Sequence, residues 1–147
     1  MKLCRFIVGL SFCFLGAVSA ATTVVVTRID SDIGELTTKE LSQLWLKQIY
    51  YINDIGIDIA DLDEKDHLRQ TYYKNVVGKY NNKLAAYWSI RVFRGEAFPP
   101  VTFESQQALI DWLVASKNRL GYIDSSNLNE NLKSVFVVEM GTSEGKE

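Results

Sequence analysis

The chain has 147 residues, 16 basic against 18 acidic side chains and a formal net charge of −2 with its one histidine neutral. No Lys/Arg cluster and no basic stripe interleaved with aromatic residues occurs in it, so nucleic acid and anionic lipid are excluded as expected partners. The two cysteines, Cys4 and Cys13, both lie near the start, so everything after them is built without a disulfide, a thiolate ligand or a cysteine nucleophile.

Lys2 and Arg5 form a basic start, Phe6 to Val18 is apolar apart from Ser11, and Val18-Ser19-Ala20 supplies small residues before a cut. Residues 1–20 therefore read as an export signal, with Ala21 the first residue of a periplasmic protein. The apolar run is too short for a comfortable span, so no direct membrane insertion is expected after cleavage. Without Lys2 and Arg5, 14 of the 16 basic residues remain and the net charge becomes −4. What is left is one domain's worth of chain, placed at 21–140, with a flexible tail over 141–147.

"TTVVVTRI", residues 22–29, is a β-branched run of strand length, and its unbroken Val24-Val25-Val26 predicts a strand covered on both faces. A turn-rich loop, Asp30 to Gly34, follows. Thr37 and Glu40 stand at capping-box spacing and open a helix that presents Leu41, Leu44 and Trp45 along one stripe. After Tyr50-Tyr51-Ile52 and the turn 53–56, Ile57, Ile59 and Leu62 alternate with Asp58 as in a second strand.

Leu68, Tyr72 and Val76 recur every four residues, predicting a helix from about Glu64 to Val77 that stops near Gly78. Another runs from about Asn82, with Leu84, Tyr87, Trp88 and Val92 on its apolar face and Gly95 as its stop. Pro99-Pro100 forces an extended connection, and Ser105 caps a helix burying Ala108, Leu109, Trp112 and Leu113. Leu120 to Ile123 and Val135 to Val138 are the remaining strands. This order predicts an α/β fold, a small mixed sheet flanked by helices.

Three segments carry a resemblance. "VVVTRIDSDIGELTTKELSQLWLKQ", "KLAAYWSIRVFRGEAFPP" and "RLGYI" together resemble phosphate-binding proteins of bacterial ABC importers, and in particular their short exported relatives. The resemblance covers roughly residues 23–138 and implies one lobe of a type II periplasmic binding protein. It further implies a non-catalytic binding module without a cofactor, a small oxyanion as ligand, and a membrane permease or other envelope protein as partner. The family carries a Ser-Gly-Thr-like turn after the second strand, where hydroxyls and backbone N–H groups hold the anion. In that place this sequence has Asp61-Leu62-Asp63-Glu64-Lys65-Asp66. Carboxylates there would repel phosphate and occupy the donors, so no phosphate-binding residue is carried over from that turn.

The acidic stretch has other readings. As a calcium loop it has Lys65 at the fifth position, Asp66 in place of the turn glycine and Tyr72 in place of the final glutamate, and no metal is expected. As a helix start, Asp63 is the N-cap, with Glu64 and Asp66 in the first turn where the macrodipole favours them. His67 with Asp63 is the one arrangement left for a hydrolase, and no motif surrounds any serine.

The candidate ligand-binding residues are Asp30, Ser31 and Asp32, in a loop expected to border the same site as the turn 61–66, together with Arg91 and Arg94. The competing reading for both arginines is stabilisation of their own helix end and pairing with Glu96. Adjacent tyrosines cannot both point inward from one helix face, which makes Tyr50, Tyr51 and Tyr73 candidates for partner binding. A fold that has lost its ligand and serves as a periplasmic adaptor is the alternative function.

Overall fold

A computed structural model describes residues 22–139; the expected signal, both cysteines and the tail from Gly141 lie outside the described residues. Strand β1, Thr23–Arg28, has five successive buried residues and runs between two neighbours, as its β-branched run requires. Helix α1, Thr38–Trp45, is opened by the expected capping box. Thr37 Oγ1 accepts from the Glu40 N–H at 3.2 Å, and the Glu40 carboxylate accepts from the Thr37 N–H at 2.8 Å.

A hairpin, β2 (Tyr51–Ile52) and β3 (Ile55–Gly56), turns at Asn53 and Asp54, both at positive φ as a tight hairpin turn demands. Strand β4, Asp58–Leu62, leads to helix α2, His67–Tyr72, whose last turn widens into a π-helical stretch, Tyr73–Val77. Gly78 at φ 74° ends it in the left-handed conformation that favours glycine. Helix α3, Asn81–Phe93, follows, and then Pro99-Pro100 run into β5, Val101–Phe103, a short edge strand that the sequence reading takes only as a connection. Helix α4, Gln106–Val114, is capped by Ser105 as expected; strands β6, Arg119–Asp124, and β7, Leu132–Val137, complete the chain.

The five-stranded sheet has the order β5-β4-β6-β1-β7. Strand β4 is parallel to β5 and β6, and β1 is antiparallel to β6 and β7. Side chains alternate across β6, so the two layers of helix can be read from two adjacent residues. Gly121 faces the Leu109 and Leu113 side chains of α4, while Tyr122 faces Tyr72 of α2 and Trp45 of α1.

Two helix faces differ from the sequence expectation. Helix α3 buries only Trp88; Val92, expected inside, is exposed. In α4, Ile110 is buried in place of Ala108 and Trp112, which are half-buried at the margin; Trp112 there lies under the Arg119 guanidinium at 4.5 Å. Among the described residues no helix is long and apolar enough to cross a membrane.

Candidate functional site

Within the apolar strand β4 one carboxylate is buried, Asp61, at 1% exposure. An ionised carboxylate inside a protein must be paired and hydrogen-bonded, and three elements converge to do so. Trp45 Nε1 of α1 donates to Oδ1 at 2.9 Å, the Tyr122 hydroxyl of β6 donates to the same oxygen at 3.1 Å, and the Tyr73 hydroxyl donates to Oδ2 at 2.6 Å. Arg69 of α2 stands 3.7 Å away as the counter-charge, its guanidinium also lying 5.1 Å from the Tyr73 ring centroid. The Tyr122 hydroxyl accepts from the Leu62 N–H at 3.2 Å as well, which ties the network to the backbone at the strand's end.

Burial pushes the Asp61 carboxyl above the usual carboxylate range, against the opposing pull of Arg69 and the three donors. The Tyr72 and Tyr73 hydroxyls are raised well above the usual tyrosine range, and Tyr122 is raised too, first through burial and then through neighbouring charge. All three remain neutral, so Tyr73 and Tyr122 act here as donors.

The turn that follows closes on itself. The Asp63 carboxylate accepts from the Lys65 N–H at 2.9 Å, which makes an Asx turn rather than a helix cap. The chain therefore reaches helical geometry later than the sequence suggests: the N-cap is Asp66, accepting from the Leu68 N–H at 2.8 Å, and the helix starts at His67 instead of Glu64. His67 itself is exposed. Among the described residues no group of three or more His, Cys, Asp or Glu side chains is arranged to hold a metal.

The candidate residues scatter. The β1/β6 register pairs Thr23 with Asp124 and Val26 with Gly121, and the parallel β4/β6 register pairs Asp58 with Arg119. Because β1 is antiparallel, its C-terminal loop, Asp30 to Asp32, lies at the end of the sheet where β4 begins, opposite the turn 61–66. The two segments expected to border one site are thus on opposite edges. In that loop Asp30 pairs with Arg28 and Asp32 with Lys117, while the buried Ser31 accepts from the Ile33 N–H on Oγ and from Lys133 Nζ on its carbonyl.

Arg91 reaches across to the chain just past α1, donating to the Leu46 and Lys47 carbonyls at 3.2 and 3.3 Å beside a Tyr87 hydroxyl bond to Leu46 at 2.6 Å. It also stands 3.6 Å from Glu96, as the helix-stabilising alternative expects. Arg94 is exposed and lies 3.7 Å from the same carboxylate. Tyr50 and Tyr51 are exposed. Tyr73 is not: it is 2% exposed, and Tyr72 beside it is fully buried. The expectation that one of the pair faces solvent fails because the helix widens to π geometry between them, and because the two rings enter different surroundings. Tyr72 stacks on Tyr122 at 4.3 Å between centroids, while Tyr73 turns its hydroxyl to Asp61. The sequence does not gather the network's other members, Trp45, Arg69 and Tyr122, around Asp61; its one signal for them is an aspartate standing inside the apolar run "IADL".

No family model matches the chain, and no curated protein matches it. Solved structures do. An ABC-type phosphate transport receptor from Vibrio cholerae superposes with a TM-score of 0.64 over 78% of this chain and 45% of its own, at 13% identity. The two folds agree over that shared part. A Clostridium perfringens protein described as a phosphate ABC transporter substrate-binding protein, with bound phosphate, gives a TM-score of 0.62 over 78% of this chain and 44% of its own, at 12% identity. PstS from Borrelia burgdorferi gives 0.53 over 71% and 41%, at 12% identity. The chain spans less than half the length of these receptors and resembles one lobe of a type II periplasmic binding protein, as its sequence resemblance implies. At such identities the likeness concerns the receptor fold alone.

Proposed function

We propose that this protein is an exported, non-catalytic binding module of the cell envelope, built like one receptor lobe, that holds no free oxyanion at the turn after β4. The observation that carries this is Asp61. The donors gathered at the end of β4, Trp45 Nε1 and the Tyr73 and Tyr122 hydroxyls, are committed to an internal carboxylate. A phosphate brought to them would meet Asp61, Asp63 and Asp66 in place of hydroxyls and free N–H groups. The receptor fold and the basic, apolar and small-residue order of residues 1–20 support binding outside the cytoplasm.

Expression with its own N-terminal segment, followed by cell fractionation and N-terminal sequencing, should recover a periplasmic protein that begins at Ala21. Titration calorimetry with phosphate should give no saturable heat. A cytoplasmic, uncleaved product, or a saturable phosphate isotherm whose affinity changes in Asp63→Ala, would overturn the proposal.

A second reading, docking on a permease or other envelope protein, is favoured by the exposure of Tyr50 and Tyr51 together with Phe93, Phe98 and Val101.

A further inference from the structure

Helix α2 and its π-helical extension stand on one side, and α3 on the other, of a cleft of about 700 Å³, within the size range of small-molecule sites. Its lining has two characters. Lys65, Arg69 and Lys74 make it basic, with Glu64 the one opposing carboxylate, whereas Leu84 and Trp88 give it an apolar wall. The chain as a whole is acidic, so this concentration of positive charge runs against its composition.

Two donor side chains border the cleft. Arg69 is engaged by Asp61 at 3.7 Å and by Tyr73, and its planar fork carries more N–H groups than these two partners use. Trp88, 7% exposed and the one buried residue of α3, has an indole N–H with no hydrogen-bond partner. A buried indole N–H ordinarily finds a partner, so this one is a sensitive reporter of any ligand that seats against the Trp88 ring.

We propose that this cleft binds a small amphiphilic carboxylate: the carboxylate against Arg69, Lys65 and Lys74, and the apolar body against Leu84 and the Trp88 ring. The planar fork of an arginine suits a carboxylate, and an apolar wall rewards a ligand with a body over a bare inorganic ion. The inference rests on the reading of the chain as a binding module and names its ligand class. It places that ligand between two helices, away from the closed acidic turn.

The test uses the full chain expressed with its own N-terminal segment, ¹⁵N-labelled at tryptophan; its three tryptophans give three indole N–H resonances. Titration with 3-phenylpropionate should shift the Trp88 resonance saturably, and inorganic phosphate at the same concentrations should not. The double substitution Lys65→Glu with Lys74→Glu, on exposed side chains, should weaken binding about tenfold or more without lowering the unfolding temperature. Arg69 is left in place because it also faces Asp61.

The cleft assignment is overturned by a silent Trp88 resonance, by a response confined to Trp112, or by binding that the two lysine changes leave intact. It is overturned equally if a polyglutamate peptide moves Trp88 and 3-phenylpropionate does not. None of these results touches the module proposal, which the export and phosphate measurements decide separately.

Discussion

Asp61 is a residue whose removal and whose protonation have different consequences, and the two can be separated by substitution. Asp61→Ala leaves Trp45 Nε1, the Tyr73 and Tyr122 hydroxyls and Arg69 without their shared acceptor. Breaking a buried, hydrogen-bonded charge in this way costs about 3–5 kcal/mol, to be read from urea unfolding. Asp61→Asn keeps the shape and removes the titration. Since burial raises the folded-state pKa of Asp61 above its unfolded value, its contribution is present in full below the usual carboxylate range. It is lost as pH rises through the folded pKa. The stability of the wild type relative to Asp61→Asn should therefore fall from acid toward neutral pH; a difference that grows instead would mean that Arg69 and the three donors outweigh burial.

At the scale of elements, local rules succeed where a segment satisfies its own polar groups and fail where a neighbour intervenes. The capping box at Thr37 and the serine cap at Ser105 are local, and both form as the sequence predicts. The start of α2 is displaced by the Asx turn of Asp63, a choice between two local hydrogen bonds that periodicity does not register. Strand β6 shows the tertiary constraint on one position. A Cβ at Gly121 would stand 3.1 to 3.3 Å from the Leu109 and Leu113 methyl groups, so those side chains would have to shift to admit it. Gly121→Ala should cost about 1–3 kcal/mol of stability in urea unfolding through overpacking, and Gly121→Val more.

At the scale of the whole molecule, several large apolar side chains among the described residues stay exposed. Phe93 is 93% exposed, and Ile90, Phe98 and Val101 are also exposed. These side chains gain little from folding, so Phe93→Asp should leave unfolding stability within about 0.5 kcal/mol of the wild type. A larger loss that grows with protein concentration would show that Phe93 is buried in a self-associated form. A concentration series in analytical ultracentrifugation checks this directly.

How much of the protein is legible in its sequence follows from the range of the forces involved. Strand β1, the caps of α1 and α4, the ends at Gly78 and Gly95, and the α/β class are written in the chain, because β-branching, side-chain capping and left-handed glycine act over a few residues. The acidic turn is legible in the same way, as a run of carboxylates at the end of a strand. Strand direction is not, and the antiparallel course of β1 sends Asp30 to Asp32 to the edge opposite Asp61. Nor does the sequence disclose that Trp45, Arg69, Tyr73 and Tyr122 meet around one carboxylate, or that α3 stands off from α2 to leave a basic cleft. Those contacts join residues up to 77 positions apart in number, from Trp45 to Tyr122, and only the packing of helices on both faces of the sheet decides which of them touch.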